Sequence, residues 1–379
     1  MRIGFDAKRA VQNNTGLGNY SRYLIEILSE YYPANDYFLF APKKKENSRL
    51  QTILSSPNTS FVFPSGGGKL LPSLWRFSGV KKDMERNRID LYHGLSNELP
   101  AGIVRTGVKT VVTIHDLIFL RCPEYYRAAD RAIYRWKFQY ACQKADRIIA
   151  VSECTKRDII SFFHIPPEKI DVVYQGCHAA FGRELPEAKR EAVRENHRLP
   201  PRYILYVGSI EARKNLLLAV KALQRLPADI HLAAVGRPTP YQAEVEAFAR
   251  KAGLQSRLHL KNNVPFDDLP ALYRLAEAFV YPSFFEGFGI PVVEALTSGV
   301  PVVAATGSCL EEAGGTGSAY ICPHDEAALA DKLYEIVNNK ELAAGMVAKG
   351  KDYVKRFSRE KTAADIMKVY QALYLHLPP

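Results

Sequence analysis

A chain of 379 residues, 47% hydrophobic and 24% charged, is too long for one ordinary core and carries no low-complexity tract, so two globular domains are expected. Its formal charge of +11 favours anionic partners (phosphates, nucleotides, nucleic acid or an acidic membrane face) without choosing among them. No uncharged apolar run reaches the length of a membrane span, because the least charged stretch, residues 295–310, is broken by Gly299 and Pro301.

The N-terminal sequence MRIGFDAKRA places charges where the apolar centre of a signal peptide would lie. The six cysteines, Cys122, Cys142, Cys154, Cys177, Cys309 and Cys322, show neither metal-ligand nor redox spacing and read as reduced thiols of a cytoplasmic protein. From there, short β-branched and aromatic runs alternate with helical patterns. Strands are predicted in the first half at RIGFDA, YFLFAP, SFVFP, DLYHGL, KTVVTIHD and RIIAVS, and in the second at YILYVG, HLAAVG, RLHLKN, AFVYPS and VPVVAA. Several are nearly continuous apolar runs, as expected for parallel strands covered on both faces. Helical patterns between them, such as 126–145 and 215–226, make βαβ units and hence doubly wound sheets. The strand-like KIDVVYQGC ends near residue 177, a charged stretch bracketed by prolines follows, and a new series starts at Tyr203. The expected division is a first domain over 1–180, a linker over 181–200, a second domain over 201–358, and a C-terminal helical segment over 359–379 placed to pack back on the first domain. Open α/β sheets bind ligands beyond the carboxyl ends of their strands, which makes a cleft bounded by both domains the expected ligand position.

Three loops after strands carry candidate chemistry. In NNTGLGNY, residues 13–20, Gly16 and Gly18 would let backbone N–H groups approach an anion at a helix N-terminus. The pattern is not a full G-x-G-x-x-G, and no acidic residue stands about 20 positions on. A flexible connection is an equal reading, and a dinucleotide site is disfavoured. In YVGSIEARKN, residues 206–215, Arg213 and Lys214 would serve a pyrophosphate, one through bidentate hydrogen bonds and the other as a compact charge. The bland alternative is a solvated basic turn. In FFEGFGIPVVEAL, residues 284–296, Glu286 and Glu294 flank a Gly-Phe-Gly-Ile-Pro segment in apolar sequence that would otherwise reject charge. Pro291 fits the first turn of a helix, which places Glu294 near that helix's N-terminal end, where the dipole alone favours a carboxylate. Glu286 has no such explanation. Gly287 and Gly289 would expose N–H donors beside it, an arrangement suited to a sugar bearing a phosphate.

The segment PSFFEGFGIPVVEALTSGVPVVAA resembles the hallmark of the retaining glycosyltransferases of family 4: two glutamates separated by seven residues around a Gly-Phe-Gly-x-Pro core. YVGSIEARKN resembles the family's diphosphate-binding segment and TGLGNY its N-terminal glycine loop. YHGLSNELP, TIHDLIF and AVSECTK resemble further N-terminal segments in the same order, so the resemblance spans nearly the whole chain. The small-sugar and mannosyl-type bacterial members are the most similar. The resemblance implies the GT-B fold, two Rossmann-like doubly wound α/β domains facing a central cleft, the first binding acceptor and the second a nucleotide-sugar donor. It implies retaining, metal-independent hexosyl transfer, with mannose a candidate sugar, from a nucleotide diphosphate sugar to a hydroxyl of a glycan or lipid-linked acceptor. The setting implied is glycan or polysaccharide biosynthesis in the cytoplasm, with at most peripheral contact at the inner face of the membrane.

The resemblance also implies roles. Glu294 would hold the ribose hydroxyls, Glu286 the donor sugar hydroxyls, and Arg213 with Lys214 would neutralise the departing diphosphate. Gly16, Gly18, Gly208 and the N–H groups of Gly287, Phe288, Gly289 and Ile290 would cradle phosphates and sugar. His115 would face the donor sugar from the first domain, although taken alone it reads as a structural histidine. Departure and attack would use the same face of the sugar, the departing phosphate oxygen taking the acceptor proton. Asp116 and Ser152 read as caps. The chain lacks any Asp-x-Asp, Asp267 and Asp268 being adjacent, so neither a metal nor another cofactor is expected. Glu311 stands before Glu312 where related sequences often have an apolar or proline-containing stretch. Cys309 has no basic neighbour in sequence and no expected nucleophilic role.

Three rivals differ in what they require. A nucleotide-sugar epimerase would form product without an acceptor. A non-catalytic sugar-nucleotide sensor would bind donor without transfer. A nucleic-acid-binding protein would need aromatic residues interleaved with Lys and Arg in a recognisable module, and none appears. LPSLWRF, residues 71–77, is an apolar-basic candidate for exposed, peripheral membrane contact, although packing into the core is its expected fate.

Overall fold

The computed structural model describes residues 1–45, 47–64 and 71–374. The last residues of the expected C-terminal segment, 375–379, lie outside them. By its contacts the chain divides into two compact units, Met1–Gln175 joined by the segment from Phe357 onward, and Gly176–Arg356.

In the first unit, β1 (Arg2–Asp6), β2 (Asp36–Phe40), β3 (Thr59–Val62), β4 (Leu91–Gly94), β5 (Lys109–Ile114), β6 (Arg147–Ala150) and β7 (Ile170–Val172) form a parallel sheet in the order β3-β2-β1-β4-β5-β6-β7. Ile3 sits opposite Tyr37 on one side and Leu91 on the other, a register that fixes which side chains enter which face. Ile3 and Phe5 belong to a core that includes Leu24, Ile25 and Leu28 of the helix Gly16–Tyr31. Ile366, Met367 and Tyr370 of the C-terminal helix Arg359–Ala372 complete the same core. Arg359 adds ion pairs to Glu26 and Glu30 at 3.1 and 2.6 Å. A buried polar chain crosses this core: the Tyr370 hydroxyl meets His93 Nδ1 at 2.6 Å, His93 Nε2 meets Thr113 Oγ1 at 2.8 Å, and the Tyr20 hydroxyl meets the same Oγ1 at 3.0 Å. Burial lowers His93 to about 3, so its ring is neutral and the chain needs no counter-charge.

In the second unit, β8 (Tyr203–Val207), β9 (His231–Val235), β10 (Leu258–Lys261), β11 (Ala278–Tyr281), β12 (Val302–Ala305) and β13 (Ala319–Ile321) form a parallel sheet in the order β10-β9-β8-β11-β12-β13. β11 is buried along its whole length, which accounts for the unbroken apolar run AFVY. In each sheet the order reverses once, between β1 and β4 and between β8 and β11. Consecutive connections leave such a pair on opposite faces, which opens a crevice at its carboxyl end.

Two expectations change. Residues 181–200, read as a linker, are a packed part of the second unit: the helix Glu187–Asn196 buries Val193, and His197 Nε2 lies 2.8 Å from Asp268 Oδ2. Its sparse apolar face, Val193 followed by Leu199, is what a charge-rich sequence hides. LPSLWRF does not enter the core as a block. Trp75 is buried, but Leu71, Leu74 and Phe77 are exposed.

Candidate functional site

The loop after β8 and the loop after β11 meet at the reversal point of the second sheet. Asn215, held at φ +56°, donates through Nδ2 to the carbonyls of Pro282 (3.1 Å) and Pro323 (2.8 Å), and the Phe284 N–H donates to the Arg213 carbonyl at 2.9 Å. These bonds fix the basic turn against the glutamate loop. Lys214 lies over Gly208, where a Cβ would come 3.1 Å from Lys214 Cδ, so the glycine leaves room for that aliphatic stem.

Arg213, Lys214 and Glu286 form one cluster. Lys214 Nζ donates to Glu286 Oε1 at 3.0 Å and to the Tyr281 hydroxyl at 2.6 Å. An Arg213 guanidinium nitrogen stands 3.1 Å from the same oxygen, while the guanidinium also donates to the Phe285 carbonyl and to Glu211 Oε1. The Ser283 and Tyr281 hydroxyls reach Glu286 Oε1 at 2.8 and 3.2 Å. All of these contacts fall on Oε1. Burial would raise this carboxyl, but Arg213 and Lys214, helped by Ser283, outweigh it and hold it at about 2. Glu286 is therefore ionised, and the two cations are held at the carboxyl end of the sheet. The turn is no solvated basic connection, since both cations and the glutamate are about seven-eighths buried, at 13%, 13% and 12% exposure.

Gly289 begins the helix Ile290–Thr297 at φ +106°, and a Cβ there would meet Leu310 Cδ2 at 2.7 Å, so only glycine fits the approach. Phe288 is buried beneath the loop, and the Cys309 thiol donates to the Glu286 carbonyl at 3.0 Å. In the helix's first turn Pro291 has no N–H, and the Val292 N–H donates to the Gly289 carbonyl at 2.9 Å. Glu294 stands elsewhere than expected: it is the fifth residue of an eight-residue helix, not at its N-terminal end, so the dipole does not explain it. Its only hydrogen-bond donor among the described side chains is the Tyr273 hydroxyl, on Oε2 at 2.9 Å. Burial pushes it up to about 8, against the opposing Tyr273 bond.

The remaining predicted residues lie in the first unit. Gly16 opens the helix Gly16–Tyr31, and Gly18 sits where a Cβ would come 1.8 Å from the Asn13 carbonyl, a position closed to any side chain. Arg22, from the same helix, donates to the carbonyls of Ala10 (2.7 Å) and Asn13 (2.8 Å) and so locks the loop shape. His115 follows β5. Its N–H donates to Asn97 Oδ1 at 2.8 Å, its ring Nε2 lies 2.9 Å from the Leu95 carbonyl, and the ring packs edge-on to Tyr20 at 4.6 Å. Burial lowers it to about 4, so the ring is neutral and Nε2 carries the proton that Leu95 accepts. Asp116 accepts from the Ile118 N–H at 3.1 Å and so closes a turn ahead of the helix Ile118–Arg121, whose N-cap is Leu117, while Ser152 accepts from the Thr155 N–H at 3.0 Å as the N-cap of the helix Glu153–Phe163.

Several neighbours carried no sequence signal. Tyr281, Ser283 and Tyr273 complete the two glutamate environments. Another group, at the reversal point of the first sheet, carried no sequence signal either. Arg76 bridges Asp6, at the end of β1, to Glu98 after β4, with its Nε 3.1 Å from Asp6 Oδ2. These three line a cavity of about 400 Å³ that also presents Lys8, Lys43 and Phe77. Among the described residues, no three His, Cys, Asp or Glu side chains come together in a metal-holding group.

The sequence matches the family described as Glycosyltransferase Family 4 over residues 16–181 and that described as Glycosyl transferases group 1 over residues 188–353. The O-antigen chain mannosyltransferase B of Escherichia coli is 27% identical over 390 residues, covering 98% of this chain and 100% of its own. Anabaena HepE, solved in complex with UDP and glucose, is similar with a TM-score of 0.75 at 18% identity, covering 98% of this chain and 100% of its own. Sucrose-phosphate synthase from Thermosynechococcus elongatus gives a TM-score of 0.79 at 19% identity, covering 100% of both chains.

Proposed function

The chain belongs to glycosyltransferase family 4 with the GT-B fold, and on that premise we propose that it moves a hexose from a nucleotide diphosphate sugar to an acceptor hydroxyl with retained configuration. The observation that carries this reading is the Arg213–Lys214–Glu286 cluster at the carboxyl end of β8 and β11. On this reading its two cations meet the charge that a departing diphosphate gains, and fixed charge in a partly dry site stabilises that transition state without reorganisation. Glu286 Oε2 accepts a hydroxyl of the donor sugar, and Glu294, which burial keeps protonated, exchanges hydrogen bonds with the ribose hydroxyls. The bond from C1 to the phosphate oxygen breaks as the acceptor oxygen attacks from the same face, and the acceptor proton passes to the departing oxygen. With both glutamates holding hydroxyls, no carboxylate of this cluster serves as a glycosyl nucleophile. Arg213 and Lys214 supply the countercharge, so the reading is metal-independent.

The similarity to a mannosyltransferase of O-antigen chains makes mannose the first sugar to test and a growing glycan the first acceptor class. The acceptor sugar belongs in the first unit's cavity, where Asp6 and Glu98 accept hydroxyls, Arg76 donates, and Phe77 offers a ring face. Calorimetric titration against UDP-, GDP-, ADP- and dTDP-sugars tests the donor half. Saturable binding by one nucleoside class, abolished by Glu294→Ala, is the expected result; no binding by any of them overturns the reading.

A further inference from the structure

His115 is fixed along its backbone and at one ring nitrogen, by Asn97 Oδ1 at its N–H (2.8 Å), by Thr155 Oγ1 at its carbonyl (3.3 Å) and by the Leu95 carbonyl at Nε2 (2.9 Å). One bond at the far nitrogen restrains a ring without fixing its tilt, so the side chain packed against it decides where the ring stands. That side chain is Tyr20, whose ring lies at 88° to the imidazole with the centroids 4.6 Å apart. Tyr20 is 6% exposed and comes from the helix Gly16–Tyr31, which the glycine loop opens. It therefore joins two first-unit features that the sequence singles out, the Gly16–Gly18 loop and His115.

Tyr20 is in turn one end of the buried polar chain that reaches the C-terminal helix. Neutral His93 has a single ring N–H, so one of its two partners donates to it and the other accepts. Tyr370, at 0% exposed, is the more deeply buried end of the chain. Its phenol proton goes to His93 Nδ1 at 2.6 Å, because the reverse order would leave that proton without an acceptor among the described residues. His93 Nε2–H then donates to Thr113 Oγ1 at 2.8 Å, and the Thr113 proton goes to the Tyr20 oxygen at 3.0 Å. Thr113 lies on β5, two residues before His115. A residue of the C-terminal helix thus dictates, three hydrogen bonds away, how the Tyr20 hydroxyl is held.

We propose that Tyr20 is a positioning residue for His115, and that the chain through Thr113 and His93 to Tyr370 makes the C-terminal helix part of the transfer machinery. This rests on the glycosyltransferase reading, in which His115 faces the donor sugar. A side chain contributes to a transition state at one placement, and a shift of about an ångström is felt in turnover more than in binding. On the same reading the nucleoside half is held by Glu294, in the second unit, and does not depend on this chain. The return of the C-terminal helix to the first unit then serves the reaction as well as stability.

Thr113→Val removes the shared hydroxyl at almost constant volume, and Thr113→Ser keeps it. Transfer at saturating nucleotide sugar should fall about tenfold in Thr113→Val and recover in Thr113→Ser, while the affinity for the plain nucleoside diphosphate stays that of the unaltered chain in both. A merely structural loss would lower the fraction that binds nucleoside diphosphate along with turnover. Nitrogen NMR of the full chain labelled at its histidine rings gives a readout that needs no activity. The His115 signals should move in Thr113→Val while those of His231 and His259, in the second unit, stay. Should Thr113→Val fail to fold, Tyr20→Phe, which keeps the ring and removes its hydroxyl, carries the same comparison. Full turnover in folded Thr113→Val, or unmoved His115 signals, overturns the proposal and leaves the reading above standing. Absence of transfer by the unaltered chain with every nucleotide sugar overturns that reading and this proposal with it.

Discussion

Glu286 and Glu294 share one loop-helix segment and are driven in opposite directions. Arg213 and Lys214 overcome the burial of Glu286 and hold it at about 2, whereas Glu294, with Tyr273 alone against its burial, rises to about 8. The folded chain keeps the Glu294 proton across a range where the unfolded chain has already lost it. Stability therefore falls as pH rises from the ordinary glutamate value toward 8. Glu286 behaves oppositely, its contribution being present above the ordinary value and lost as pH falls toward 2. The expected outcome is that Glu294→Gln flattens the pH dependence of the denaturant midpoint between pH 5 and 8; an unchanged slope contradicts the burial argument. Lys214→Ala should cut turnover by roughly 10²–10³, the scale of one lost preorganised donor, with little change in nucleoside affinity. Equal losses in turnover and affinity would assign Lys214 to ground-state binding instead.

At the scale of elements, the sequence disclosed what repeats or what breaks a rule. Eleven predicted strand runs coincide with strands because parallel strands are apolar on both faces, and KIDVVYQGC contains a twelfth, β7. β13 escaped because Ala319–Ile321 is too short to show a period, and the helix Glu187–Asn196 because a single buried valine leaves little apolar pattern. Arg213, Lys214 and Glu286 were legible since each stands in a loop just past a strand, where charge in apolar sequence has few structural excuses. Tyr281 and Ser283 were not, since a tyrosine closing an apolar strand and a serine in a turn are ordinary there. Arg76 and Asp6 lie 70 residues apart and become neighbours only through the sheet order. Gly289 tests the loop geometry. Gly289→Ala forces a Cβ to φ +106° against Leu310 and should cost about 1–3 kcal/mol in chemical denaturation. A neutral substitution would show that the loop relaxes freely.

On the scale of the molecule, the chain ends by returning to the unit in which it began. Tyr370 anchors that return through His93, and removing its hydroxyl leaves a buried ring nitrogen without its partner. Tyr370→Phe should lower the stability of the first unit by about 1–3 kcal/mol, read from the denaturant midpoint, and an unchanged midpoint would mean that packing alone holds the helix.

The central claim is retaining transfer, and proton NMR of the product tests it most directly. The chain is incubated with an α-linked nucleotide diphosphate hexose, GDP-mannose first, and a mannoside acceptor in the presence of EDTA, and the anomeric coupling of the new glycoside is measured. The account predicts an α-linked product that requires the acceptor and forms without divalent metal; a β-linked product, or an epimerised nucleotide sugar formed without acceptor, would contradict it.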